Sequence, residues 1–322
     1  MSTTKTALVL GATGGIGGET AAALLRHGWA VVAMARDGAR RAPARTHPLG
    51  NATWVSGDAM NALDVRRAAE GVQAIVHAVN PPGYRDWGRR VLPMIDNSIS
   101  AAKVVGARVV LPGTIYNYGE DAFPELKEDT PQRPTTEKGR IRVALERWME
   151  AASREGAPAL IVRFGDFFGP APGNNWFSQG LVTPGKRLDA ITYPGPRGVG
   201  HAWSYLPDAG ETIARLLDRS DDLQPFARFH FEGIWDADGT AVTGAVAAAL
   251  GRPDIKIKPL PWPLIGLAGL FQETPRELYQ MRYLWRRPAR LDNRKLVAFL
   301  GEEPHTPLRQ AVQQTLAALR VS

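Results

Sequence analysis

Along the first half of this chain, apolar positions change repeatedly between a continuous run and a helical spacing. Residues 7–10 are uninterruptedly apolar, and glycines at 11, 14 and 17 follow at once. Ile16, Thr20, Ala21, Leu24 and Leu25 then recur on one helical face, and Gly28 stands where a left-handed residue closes a helix. Residues 30–34 form a second buried run and 52–55 a third, ending at Gly57-Asp58. Asn61 is placed to cap a helix running to Glu70, closed by Gly71. Strong runs at 74–79, 108–111 and 160–164 predict three more strands. The intervening patterns predict a helix within 84–105, with a kink at Pro93, and another over 139–155. Continuous apolar strands alternating with amphipathic helices predict a parallel sheet wound on both faces.

The pattern changes near Gly169. Proline and glycine crowd residues 170–200 around the pair Trp176-Phe177. A helix at 208–217, a strand at 228–231, a helix at 240–250, a strand at 254–258 and terminal helices are expected after it. The fold class is therefore α/β: a Rossmann-type doubly wound sheet with a smaller, mostly C-terminal substrate lobe. The division is drawn at 1–168 and 169–322, with the lobe interleaved with the sheet.

Composition narrows the function classes. The 322 residues are 44% hydrophobic and 22% charged, as in ordinary globular proteins. With no cysteine, disulfide and thiolate chemistry are excluded, and a cytoplasmic setting is expected. The first apolar run is too broken by glycine for a signal peptide, and 263–271 is too short to cross a bilayer, so no membrane partner is expected. The net charge of +7 suits either nucleic acid or an anionic cofactor. Scattered basic residues without a helix-turn-helix or aromatic RNA-binding signature argue against nucleic acid. Histidines lack metal-ligand spacing, and neither Gly-x-Ser-x-Gly nor a Walker loop occurs.

The glycine turn carries the chemistry. Between a buried strand and a helix, one glycine makes the tight turn, one lets backbone approach a pyrophosphate, and one lets helix and strand pack. The helix start then offers free N–H groups and its positive dipole end to phosphate. Gly11, Thr13, Gly14, Gly15, Ile16 and Gly17 are thus candidates for holding a dinucleotide. At the end of the second strand an NAD enzyme places a carboxylate for the ribose hydroxyls. Here the residues are Ala35-Arg36-Asp37. Arg36, with Arg40 or Arg41, is suited to a 2′-phosphate, which favours NADP, while Asp37 keeps NAD open.

Taken together, these residues resemble the extended short-chain dehydrogenase/reductase family, which includes NAD-dependent epimerases and dehydratases. The resemblance rests on Gly11-x-x-Gly14-x-x-Gly17, Gly57-Asp58, His77-Ala78-Val79-Asn80, Thr114 with Tyr118-Gly119, and Arg163 with Gly169-Pro170. Tyr205-Leu206-Pro207-Asp208 and the closing stretch from Leu291-Asp292-Asn293 to Leu300-Gly301 extend it over nearly the whole chain. It implies that Asp58 and Ala59 meet the adenine edge, and that Ala78 and Asn80 line the cofactor pocket. It also implies a homodimer formed through the helices within 84–105 and 139–155.

The resemblance breaks at the reaction site. The family has a Ser or Thr after the fifth strand, which Thr114 matches, and then a Tyr-x-x-x-Lys on the next helix. Aligned here, Lys138 stands in the tyrosine's place and Arg142 in the lysine's, keeping the i, i+4 spacing on one helix face. Three roles are open to this pair. Arg142 holds the cofactor ribose while Lys138, its pKa depressed by burial, serves as acid/base; or Tyr116, Tyr118 or His201 substitutes as proton donor; or the chain is a catalytically silent NADP(H)-binding regulator or sensor. The expected enzyme is an NAD(P)-dependent oxidoreductase or epimerase moving hydride between NADP(H) and a small carbonyl, alcohol or enone. Its substrate-binding candidates are Tyr84, Arg163, Asn174, Trp176, His201 and Tyr205, with Trp87 closing the same cleft. Trp203 serves equally as core of the small lobe.

Overall fold

The computed structural model describes residues 4–38, 43–81, 86–171 and 175–322. Its main sheet has seven strands, all paired in parallel. They are β1 (Thr6–Leu10), β2 (Ala30–Ala35), β3 (Thr53–Ser56), β4 (Ala74–His77), β5 (Arg108–Gly113), β6 (Ala159–Arg163) and β7 (Phe226–His230). In space they run β7-β6-β5-β4-β1-β2-β3. The order reverses between β1 and β4, which puts a crevice outside their carboxyl ends, where open α/β sheets take ligands.

Five helices cover the sheet: α1 (Gly15–Arg26), α2 (Ala62–Ala68), α3 (Trp87–Val105), α4 (Glu137–Ser153) and α5 (Leu206–Asp218). Successive side chains of a strand point to opposite faces, so β1 feeds two cores at once. Ala7 and Val9 pack with Leu24, Ile213 and Leu217 on the α1–α5 side. Leu8 and Leu10 pack with Ile95, Leu145 and Met149 on the side of α3 and α4. The expected caps are present: Asn61 accepts hydrogen bonds from the N–H groups of Leu63 and Asp64, and Gly28 adopts φ +80°.

Chain beyond Gly169 returns to the sheet twice, through α5, packed on α1, and through β7. The rest builds a separate aromatic core from Phe168, Phe177, Trp203, Tyr205 and Trp285 with Val242 and Val312. The strand expected at 254–258 is present as Lys256–Pro259, paired with Ala190–Tyr193, but the hydrophobic pattern did not reveal the other short strands in this part. Residues Asp166–Phe168 pair in parallel with His201–Tyr205, which pairs antiparallel with Ile234–Asp236. All five residues of His201–Tyr205 are buried, so polarity alternation, the usual mark of a strand, is missing there. Five further helices follow: α6 (Ala241–Ala249), α7 (Trp262–Ala268), α8 (Glu273–Gln280), α9 (Arg294–Leu300) and α10 (Leu308–Leu319).

Candidate active site

The turn after β1 is shaped by what its glycines exclude. Gly11 sits at φ +90°, and a Cβ there would lie 2.5 Å from the carbonyl oxygen of Ala78. A Cβ on Gly17 would lie 2.3 Å from the carbonyl oxygen of Gly11, so α1 can pack this close to the turn only with glycine. Gly14 caps α1 without any side-chain hydrogen bond, leaving the helix start open. It opens into a groove of about 460 Å³ at the carboxyl ends of β1, β2 and β4. Gly11, Thr13, Gly14, Arg36, Asp58, Ala59, Ala78 and Asn80 line it, as sequence reasoning placed them.

This cradle fits a dinucleotide. Backbone approaches without Cβ hindrance, a helix N-terminus faces the cavity, and Arg36 is exposed at the rim beyond β2. Asp58 folds back locally, accepting the Met60 N–H at 2.9 Å, while its own N–H donates to Asp64 at 3.0 Å. Four expected residues, Gly15, Ile16, Gly17 and Arg142, do not line the groove. Gly15 and Gly17 face Leu206 and the Gly11 backbone, and Ile16 packs against the α1–α5 core. Met34, Met94 and Arg90 line it without having been anticipated. Arg90 lies on the first turn of α3, where no local motif distinguishes it from a solvated charge. Arg40, Arg41, Tyr84 and Asn174 lie outside the described residues.

Next to the groove, α4 begins with Thr136, whose Oγ1 accepts the Gly139 N–H at 3.1 Å. That cap orients the first turn so that Lys138 and Arg142 turn inward, with only 2% and 3% of their surface exposed. Both cations lie over the ring of Trp87, at 5.2 and 5.0 Å from its centroid. Arg142 donates to Asn80 Oδ1 at 2.8 Å, which links it to the end of the groove, although it does not line the groove itself. Lys138 Nζ stands 3.2 Å from Glu277 Oε2, a carboxylate brought in by α8. Burial depresses the Lys138 pKa to about 8, with Glu277 opposing the fall. Beneath Arg142, His77 is held neutral, its pKa lowered to about 3 by burial and then by the arginine's charge. Glu277 carries no signal in the sequence, because only the fold brings it to a residue so distant in the chain.

Thr114 follows β5 and is half-buried, its hydroxyl accepting the Tyr116 N–H at 3.4 Å. The other candidates are spent on structure. Arg163 is fully buried in a two-pronged pair with Glu146, both contacts 2.5 Å, and also donates to the Thr114 carbonyl. It therefore braces α4 against β6 and does not face a substrate. Tyr118 is fully buried over that guanidinium, its hydroxyl 3.5 Å from His230, and burial raises its pKa, which disfavours it as a proton donor. His201 stacks on Trp285 at 3.7 Å and bonds Asp166 at 2.8 Å. Tyr205 donates to Gln314 at 2.5 Å, and Trp203 is fully buried. These three belong to the lobe's aromatic core. Trp176 packs edge-on against Trp262 and Trp285 and keeps part of its surface exposed.

Solved structures with this architecture span the whole chain. UDP-glucose 4-epimerase from Bifidobacterium longum, in complex with NAD+ and UDP, superposes with a TM-score of 0.76 at 15% identity, covering 98% of each chain. UDP-glucuronic acid 4-epimerase from Bacillus cereus, in complex with NAD, gives 0.75 at 16% identity, covering 98% of this chain and 96% of that one. WbmH from Bordetella bronchiseptica, in complex with NAD+, gives 0.69 at 20%, covering 99% of each. At such identities the likeness concerns the fold. A comparison with curated proteins gives no match. The sequence profile described as "NAD dependent epimerase/dehydratase family" matches residues 7–227, from β1 into β7. The open glycine cradle, the reversed strand order and this match lead to one conclusion: the chain belongs to the NAD-dependent epimerase/dehydratase family.

Proposed function

We propose that the protein is an NADP(H)-dependent oxidoreductase or epimerase in which Lys138 replaces the family's tyrosine as acid/base. The observation that carries this reading is the corner itself. Lys138 and Arg142 lie one helical turn apart under Trp87, and Arg142 is tied through Asn80 to the end of the groove. Gly11, Thr13 and Gly14 would hold the pyrophosphate, Arg36 the 2′-phosphate, Asp58 and Ala59 the adenine side, and Arg142 the nicotinamide ribose. The bound nicotinamide supplies a hydride acceptor or donor.

The remaining work falls to this chain's side chains. In oxidation, the neutral Lys138 amine takes the proton of a substrate hydroxyl while hydride leaves the adjoining carbon; in reduction, the ammonium returns the proton to the forming alkoxide. Thr114 orients the substrate oxygen. With a pKa near 8, both protonation states are accessible close to neutrality, the condition for general acid–base work. The substrate is a small carbonyl, alcohol or enone, lodged between the sheet edge and the lobe formed by residues 169–322. The UDP-sugars of the structural neighbours are one such class of alcohol.

A second reading, an NADP(H)-binding protein without turnover, is favoured by the Glu277 contact, which engages the Lys138 ammonium in a buried pair. Lys138→Met separates the two. With an active substrate in hand, the first reading expects turnover to fall by about 10²–10⁴-fold, with NADPH affinity unchanged by tryptophan fluorescence. Unchanged turnover removes Lys138 from the chemistry, and a wild-type protein that binds NADPH but turns over no substrate supports the second reading.

A further inference from the structure

The stretch that is too short to cross a bilayer has a property its length does not suggest. From Leu260 the chain enters α7, which leads into α8, and the two helices form a tight hairpin. A Cβ on Gly266 would lie 3.0 Å from the ring of Tyr279, and one on Gly269 would lie 2.8 Å from the Arg276 backbone, so both glycines turn toward α8. The larger side chains are left outside. Among the described residues, the three most exposed large apolar side chains are Phe271 at 84%, Leu270 at 74% and Leu264 at 65%. Leu267 lies beside them, also exposed.

The hairpin is well anchored. Residues Lys256–Pro259 pair in parallel with Ala190–Tyr193, the Leu260 N–H donates to the Tyr193 carbonyl, and Trp262 Nε1 donates to the Pro194 carbonyl at 2.8 Å. Trp262 also packs edge-on against Trp176 and Tyr279. An apolar tip fixed in this way does not have its leucines available for the core. Exposed apolar clusters of this kind mark an interaction surface.

Charge identifies the partner. From Ile255 to Gln272 the only ionisable side chains are Lys256 and Lys258, both exposed, with Ile257, on the strand that leads into α7; Asp254 and Glu273 bound the stretch. A tip whose 255–272 stretch carries two exposed lysines and no carboxylate of its own matches the interface of an anionic lipid bilayer: apolar side chains enter the acyl boundary and the lysines of the adjoining strand meet the headgroups. A second copy fits less well. A two-fold contact through this tip would bring the lysine flanks of both copies together, and four apolar side chains supply only part of the roughly 800 Å² per partner that a stable dimer covers. No helix of the described residues is long and apolar enough to cross a membrane, so the contact is peripheral.

We propose that the α7–α8 tip docks this protein on the surface of anionic membranes, through Leu264, Leu267, Leu270 and Phe271 with Lys256 and Lys258 of the adjoining strand. The test is sedimentation of the full chain with vesicles of phosphatidylcholine alone and of an equimolar phosphatidylcholine–phosphatidylglycerol mixture. The protein is expected to sediment with the mixed vesicles and to be released by salt. Leu270→Ser with Phe271→Ser should weaken binding at least about tenfold, since each apolar side chain contributes through its buried area. Lys256→Gln and Lys258→Gln should each weaken it roughly fivefold at low salt. Both pairs are solvent-facing, and circular dichroism should show the wild-type fold. The proposal is overturned by absence of sedimentation with either vesicle, or by binding that these substitutions leave intact. It is equally overturned if light scattering shows a dimer that Leu270→Ser with Phe271→Ser makes monomeric, which would assign the tip to a second copy.

Discussion

At the cofactor groove, recognition is built from main chain: the turn at Gly11, the open start of α1 at Gly14, and the approach of Gly17 to Gly11 that no Cβ would permit. One helix away, around Lys138, it is built from side chains supplied by four elements. Asn80 comes from beyond β4, Trp87 from α3, Lys138 and Arg142 from α4, and Glu277 from α8. The two regions respond differently to changes of residue. A backbone cradle tolerates almost any side chain except at its glycines, whereas a buried charge cluster depends on each partner being present. On the proposed reading, that difference is how the chain keeps a backbone-built cofactor site while Lys138 and Arg142 stand in place of the family's tyrosine and lysine.

The largest effect should come from the foundation of the side-chain region. Glu146→Ala leaves the fully buried Arg163 without its carboxylate, and unfolding by denaturant should show a loss of about 3–5 kcal/mol. Because the groove does not use this pair, NADPH affinity measured where the variant is folded should be unchanged; a matching loss of affinity would show that the two regions are not separable. A smaller effect is expected at the groove's rim. Arg36→Ala should weaken NADPH by roughly 10–100-fold, the range for a hydrogen bond to a charged group, and leave NADH nearly untouched. Equal weakening of both nucleotides would remove the 2′-phosphate assignment.

The smallest effect is a shift in pH dependence. Burial lowers the Lys138 pKa and Glu277 raises it. Carbonyl reduction requires the ammonium and should decline as pH rises through about 8, and alcohol oxidation, which requires the amine, should rise over the same range. Glu277→Gln removes the raising influence and should carry both limbs to lower pH. A shift to higher pH, or none, would mean that Glu277 does not face the titrating group.

The contrast between the regions also decides what could be read from the sequence. Six of the seven strands were legible because they are largely apolar runs, and α1 to α4 because each has a cap or a closing glycine, as at Asn61 and Gly28; β7, interrupted by Arg228, was read with the C-terminal lobe. The groove was legible because a backbone site leaves its mark as glycine at fixed spacing. Lys138 and Arg142 could be placed by their spacing, but their burial under Trp87 and the arrival of Glu277 are tertiary facts without local signal. Arg163, Tyr118, His201 and Tyr205 were misleading for the converse reason. Their polar groups suggested a proton donor (Tyr118, His201) or a substrate contact (Arg163, His201, Tyr205), while the fold uses them on Glu146, His230, Asp166 and Gln314. Short buried strands such as His201–Tyr205 lack alternation and so escaped a reading based on period.

The protonation of Lys138 itself can be measured without knowing the substrate. With lysines labelled at Cε, the resonance that disappears in Lys138→Met is followed by NMR as pH is raised. The account predicts a midpoint near 8, the value set by burial and moderated by Glu277. A midpoint at or above the ordinary lysine value of about 10.4 would contradict it and leave Lys138 a structural partner of Glu277.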